Sequence, residues 1–369
     1  MFNALFTKTD EYARLAQALG GPGACALFGI PGSGRAMVYA ALAKALDKPL
    51  CIVTPGEAEA TRFAGDLNAL GVAAAVFPAR DYVLRPIEGT GREYEYRRLA
   101  VLGDLVGGRL QAVCVPDEGL TQYTTPRADF CANTRSLRPG DTLPRAELTA
   151  LLYGAGYTRR DQVDGPGQFS IRGDIADIYA PDMKQPARME FWGDEIDTIS
   201  YFDAETQRRT DQITEVTISP AVEVVPDSMS ILAKKLEAHA KTLRGKAAPA
   251  AKEVLLREAD KLKNDLHIGC MDKYYTFVYE TVATLFDYFD TDALLVFSEG
   301  SKLKERMRTT LWQWGEDVRG LLAEGVLCRG LDMYTETYEY ALKRAEDTAS
   351  VYMDAFARGS YDTPTKAPV

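Results

Sequence analysis

Five short apolar runs constrain the fold of this chain more than any other feature. Residues 24–28, 50–54, 72–77 and 110–115 each read as a buried strand, and segments with a helical period lie between them. One of those segments places Leu99, Leu102 and Leu105 on one stripe and stops at Gly107-Gly108. Short apolar strands separated by helices predict a parallel α/β sheet. The fifth run, 293–297, comes much later, isolated among helical patterns and flanked by acidic residues. A lone strand is hard to stabilise. It is therefore expected to complete the first sheet, which makes everything between an insertion into one α/β domain.

The inserted stretch has a different period. Residues 135–144 read as loop, and Pro144 opens a helix with Leu148, Leu151, Leu152 and Ala155 on one face. A charged meander follows, from Gly165 to Arg209. Phe169 and Ile171 alternate with Gln168, Ser170 and Arg172. Gly173-Asp174 is a turn signal, and 175–179 reads as the next strand. Met189 and Phe191 then share one face, with Arg188, Glu190 and Trp192 on the other. Gly193-Asp194 turns the chain into a further strand over 196–202. The pattern predicts an antiparallel sheet, dry on one face and charged on the other. An ordinary half-buried sheet with solvated charges satisfies it, and so does a surface that docks a protein.

From about residue 213 the character changes again. A connecting strand is read over 217–225, then Lys/Glu/Ala/Leu-rich helix interrupted near Pro249 and resuming to about His267, then helix over 301–323. The tail from Ala357 reads as linker or truncation. The expected division is 1–118, first lobe of the α/β domain; 119–212, inserted α+β domain; 213–355, second lobe; and 356–369, linker.

Composition excludes several classes. Of 369 residues, 46% are hydrophobic and 26% charged, as in globular proteins. The net charge of −10 argues against a nucleic-acid binder that uses its whole surface. Six scattered cysteines lack C-x-x-C spacing, and two histidines argue against a histidine-built zinc site. No apolar run is long enough for a membrane helix. A reducing, cytoplasmic setting is expected.

One loop resembles a nucleotide site. Residues 29–36 read Gly-Ile-Pro-Gly-Ser-Gly-Arg-Ala, between a strand and a helix. Gly29, Gly32, Ser33 and Gly34 fit the glycine-rich pattern G-x-x-x-x-G-K-[ST]. Arg35 stands in the lysine place, and Ala36, which cannot ligate Mg²⁺, in the hydroxyl place. The fifth strand ends in Ser298-Glu299 where a metal-binding pair would read Asp-Glu. Two losses in one site predict a degenerate phosphate loop without ATPase chemistry. A sulfate or phosphate held adventitiously at Gly29–Gly34 is compatible with it.

These pieces together resemble the N-terminal module of the bacterial transcription-repair coupling factor family (Mfd), itself similar to the first part of the excision-repair protein UvrB. The resemblance covers nearly all of 1–355 and is strongest from Gly156-Tyr157 to Arg209. Phe77-Pro-Ala-Arg-Asp-Tyr82 and the run from Asp292 to Glu299 add to it. It implies an α/β fold in which a degenerate P-loop, helicase-like parallel-sheet domain is split by an α+β domain that binds UvrA. It implies a non-catalytic role in nucleotide excision repair, with UvrA as partner and Arg159 or Arg160, Arg172, Arg188, Glu190 and Trp192 as contact candidates. Phe169 is either an anchor or core, and alternation favours core. No cofactor is implied for this part. ATP and Mg²⁺, RNA polymerase and DNA belong to other regions of the full-length family protein, so the chain resembles an excised fragment. Only residues 80–97 stand where UvrB has a long aromatic hairpin that clamps DNA. Tyr82, Tyr94 and Tyr96 are accordingly read as packing residues. A nucleotide-dependent helicase-like enzyme and a DNA-binding module remain the alternatives.

Overall fold

A computed structural model describes residues 7–46, 48–85, 91–264, 268–289, 293–356, 360, 361, 363 and 365. Residues 86–90 of the short segment after Arg80, His267, Asp292 and most of the tail from Ala357 lie outside the described residues. The strands, in chain order, begin with β1 (Gly23–Phe28), β2 (Leu50–Thr54), β3 (Ala74–Val76), β4 (Ala112–Pro116) and β5 (Arg135–Leu137). Next come β6 (Thr158–Arg159), β7 (Gln168–Arg172), β8 (Ile175–Tyr179), β9 (Ala187–Trp192), β10 (Glu195–Phe202), β11 (Arg209–Ile213) and β12 (Val216–Ile218). The last two are β13 (Leu294–Ser298) and β14 (Ala349–Asp354).

Six of these form a parallel sheet in the order β1-β14-β13-β2-β4-β3. Every residue of β2, β4 and β13 is buried, because helices cover both faces. Alternate strand residues feed two separate cores. Cys25, Ile52, Cys114, Val296 and Val351 pack under the helices Gly32–Leu46 and Glu57–Ala69. Cys51, Val53, Val113, Leu295 and Tyr352 pack under the helices Glu93–Val106, Gly300–Glu324 and Tyr338–Asp347. The late strand β13 thus joins the first four, as its isolation predicted. Its neighbour β14 was not read from sequence: Ala349–Asp354 mixes Ser, Tyr and Asp into the apolar run although all six residues are buried.

The second sheet has the order β11-β10-β9-β8-β7-β6, antiparallel except for the β6–β7 pair. One face packs Phe169, Ala176, Ile178, Met189, Phe191 and Ile199 against Leu148 and Leu152 of the helix Arg145–Gly154. Two readings change here. Residues 135–137 are a strand, β5, paired with β12, and the connecting strand is only β12, since the chain beyond Ile218 leaves the ladder. Isolated three-residue pairs carry too little periodicity to be seen in sequence.

A buried ionic cluster joins the segment after β12, whose β12–β5 pair is a separate two-stranded sheet, to the helix Glu93–Val106. Arg98, fully buried on the helix Glu93–Val106, donates Nε to Glu223 Oε1 at 2.7 Å and Nη1 to the Pro78 carbonyl at 3.0 Å. Arg80 pairs with Glu223 at 3.0 Å and with Glu95 at 3.4 Å, and it also pairs with Asp272. Thr124 Oγ1 donates to Glu223 at 2.7 Å. Glu223 follows β12, so this carboxylate ties the segment leaving the β5–β12 pair to the helix Glu93–Val106 that covers the first sheet and, through Arg80 and Asp272, to residues 271–274. Two arginines hold its acid well below the usual range, at about 2, against the opposing effect of burial.

The helices Met229–Thr242 and Ala248–Lys263 form a hairpin with their own apolar seam, and Pro249 sits in the first turn of the second, where no N–H is needed. Among the described residues, no helix is long and apolar enough to cross a membrane.

Candidate functional site

Two Gly-Asp turns shape the charged side of the second sheet. Gly173 and Gly193 are the first central residues of two-residue hairpins, with φ of +58° and +64°. Only this first position is left-handed, the type II′ pattern whose twist suits adjoining strands. Arg145 clips both turns, through Asp174 at 3.2 Å and the Gly193 carbonyl at 2.6 Å.

Beyond the turns, the polar face is organised around Asp177 of β8, which no reading of the sequence singled out. Its carboxylate is fully buried. Arg188 binds it bidentately, Nε at 2.6 Å and Nη2 at 2.9 Å, and Arg172 adds Nη2 at 3.1 Å. Register places Asp177 opposite Ser170 on one side and Arg188 on the other. The centre of this face is not solvated, which corrects the expectation of an outward, wet face. Residues 161–163 and 203–207 fold over it. Ser170 Oγ donates to the Asp161 carbonyl at 3.1 Å, Gln207 Nε2 to the Val163 carbonyl at 3.1 Å, and Val163 is buried. Arg188 Nη1 reaches the Gln207 carbonyl at 3.3 Å, and its guanidinium stacks 4.5 Å over Phe202.

The remaining candidates divide by exposure. The Arg188 side chain is only 13% accessible, whereas that of Arg172 is 55% accessible. Glu190 pairs with Arg209 of β11 and accepts from Thr198 Oγ1 at 3.1 Å. Arg159 is exposed at the sheet edge and donates to the Ile171 carbonyl at 3.2 Å, beside exposed Arg160. Trp192, next to the second turn, is 84% exposed. Phe169 is core. The structure therefore gathers Arg172, Arg188 and Glu190 into one ladder, leaves Arg159 and Arg160 at its edge and Trp192 at its tip, and adds Asp177 and Arg209. Asp177 was missed because alternation marks it as solvent-facing; its one signal is an acid between the apolar residues Ala176 and Ile178.

The glycine loop lies at the C-terminal end of β1. Gly29 has φ +84°, and Gly32, Ser33, Gly34 and Arg35 already belong to the helix Gly32–Leu46. Arg35 is buried and faces the end of β13. It donates Nε to the Ile30 carbonyl at 3.3 Å and Nη1 to Ser298 Oγ at 3.2 Å, and pairs through Nη2 with Glu299. Glu299 has φ +57°, a left-handed backbone rare outside glycine, at the start of the helix Gly300–Glu324. Ala36 is buried and its methyl side chain offers no hydroxyl.

Comparison with known proteins falls on the same region. Residues 136–223 match the UvrB interaction domain family. The transcription-repair-coupling factor of Bacillus subtilis strain 168 is 29% identical over 308 residues, 81% of this chain and 26% of that protein. The chain is related to the transcription-repair-coupling factors. Those of Staphylococcus haemolyticus and of Staphylococcus aureus strain MRSA252 are 29% and 30% identical, over 68% and 62% of this chain. The chain spans about a quarter of the length of the curated relatives it matches. The matched stretch runs from the β5–β12 pair through the whole second sheet and ends on Glu223, the acid that pairs with Arg98 of the helix Glu93–Val106.

Proposed function

We propose that this chain is a non-catalytic docking module that recruits UvrA, linking stalled transcription to nucleotide excision repair in the bacterial cytoplasm. The observation that carries the reading is that the UvrB interaction domain match coincides with the arginine ladder of the second sheet. In this reading 119–212 is the docking insert, and 1–118 with 213–355 form one split domain with a degenerate phosphate loop. Exposed Arg172, Arg159, Arg160 and Trp192 meet the partner, with arginine forks suited to its carboxylates. Buried Arg188, with Asp177, holds the ladder in register beneath them. Arg35, committed to Glu299, takes no part in nucleotide turnover. RNA polymerase and DNA are partners of other regions of the whole coupling factor.

Binding of the purified chain to UvrA, followed by calorimetry, tests this. Charge reversal at Arg172 and truncation of Trp192 are expected to weaken binding at least about tenfold, the scale of an interface hot spot, with melting temperature unchanged. Unaltered affinity in both variants overturns the assignment of this face. ATP turnover that is lost in Arg35→Ala replaces the reading with the nucleotide-dependent alternative.

A further inference from the structure

The hairpin of the helices Met229–Thr242 and Ala248–Lys263 carries a charge opposite to that of the rest of the chain. Residues 229–263 hold nine Lys and Arg against four Asp and Glu, in a protein whose net charge is −10. Two of those four acids are already engaged. Glu258 is buried against Lys273, and Glu237 pairs with Lys263. The free positive charge therefore exceeds what the count alone shows.

At the tip of the hairpin a cleft of about 730 Å³ opens between the link 243–247 and the loop 327–330. Arg244, Lys246 and Arg329 line it together with His239, and no Asp or Glu does. The three cations are exposed, and none of them joins an ion pair among the described residues. Arg244 Nη1 donates to the carbonyls of Lys241 and Leu243, each at 2.8 Å, which fixes the guanidinium at the end of the first helix without neutralising it. His239 Nε2 donates to the Arg329 carbonyl at 2.8 Å and so ties the loop to the same helix. Buried Leu243, Leu327 and Cys328 line the cleft beneath them. Like charges held together without a counter-charge repel one another, and a polyanion relieves that cost.

No Phe, Tyr or Trp lines the cleft. Such side chains anchor protein interfaces and stack the bases of single strands. The backbone of a duplex needs only cations at its phosphates. We propose that this hairpin tip binds the phosphate backbone of a nucleic-acid duplex, with Arg244, Lys246 and Arg329 as its contacts. Binding of this kind carries no sequence preference. The surface lies outside residues 136–223 and is separate from the UvrA face.

Fluorescence anisotropy of a labelled short duplex of mixed sequence, titrated with the whole chain over a range of salt, tests this. Binding at micromolar protein is expected at low salt. The slope of log affinity against log salt is expected to be about −2.7, or about −0.9 for each of three phosphates. Arg244→Gln, Lys246→Gln and Arg329→Gln are each expected to weaken binding and to flatten that slope by about 0.9, with melting temperature unchanged. Lys184→Gln removes an exposed cation from the segment between β8 and β9 and is expected to alter neither affinity nor slope. No duplex binding at low salt, an equal loss in Lys184→Gln, or an unchanged slope in the three tip variants overturns the proposal. A glutamate-rich peptide that binds more tightly than the duplex also overturns it, in favour of an acidic protein partner.

Discussion

Asp177 and Asp117 are both fully buried carboxylates, and their partners set their opposite consequences. Asp177 is held by two arginines, one of them bidentate. Removing Arg188 leaves the acid with Arg172 alone, so Arg188→Ala is expected to destabilise the fold by about 3 kcal/mol, the low end for a broken buried pair. Arg172→Ala is expected to remove less than about 1 kcal/mol, because solvent screens that half-exposed side chain. Urea unfolding of the two variants checks the ranking, and a larger loss at Arg172 contradicts the geometry. Asp117 has one weak partner, and its acid sits near 6, above the ordinary 3.8. A raised carboxyl favours the protonated fold, so its ionisation lowers stability as pH rises through about 4 to 6. Asp117→Asn is therefore expected to stabilise the chain at pH 7 by on the order of 1–3 kcal/mol and to leave stability at pH 3.5 nearly unchanged. Unfolding midpoints at the two pH values decide it.

At the scale of elements, the second sheet was readable because its period of two is unbroken through β7 and β9 and its turns carry Gly-Asp. What the period could not show is that residues 161–163 and 203–207 fold back over the polar side and bury its centre. Loops announce themselves by composition but not by where they land. The clip from Arg145 to both turns belongs to the same class of long-range contact. Arg145→Ala is expected to speed amide exchange at residues 173–174 and 193–194 selectively, with a global stability change below about 1 kcal/mol, since the contacts lie at exposed hairpin tips. Uniform exchange across the sheet in that variant shows that the clip is not local. The loop after β1 follows the same logic. Its glycines and its missing hydroxyl were legible, whereas the pairing of Arg35 with Glu299 depends on β13 lying two strands away from β1 in the sheet.

For the whole molecule, the cluster of Arg80, Arg98, Glu95, Glu223 and Asp272 is where the helix Glu93–Val106, the segment after β12 and residues 271–274 meet. Glu223 has its acid lowered from 4.5 to about 2. A depressed carboxyl contributes stability that is present above the unfolded value and lost as pH falls through the folded one. Acid unfolding is therefore expected to set in below about pH 4.5 and to progress toward pH 2. Glu223→Gln is expected to flatten that dependence while lowering stability at neutral pH by about 3 kcal/mol or more, as arginines lose a buried partner. An unaltered acid limb in that variant removes the cluster as the acid-labile joint. Sequence by itself determined the parallel α/β class, the return of the late strand, the two-faced meander and the place of the glycine loop between a strand and a helix, because periodicity, turn residues and motif positions are local properties of the chain. The tertiary structure alone decided which charges are buried together. Arg98 and Glu223 are 125 residues apart in the chain yet share two hydrogen bonds. Pairing at that distance is set by how sheets and loops pack, and no local pattern encodes it.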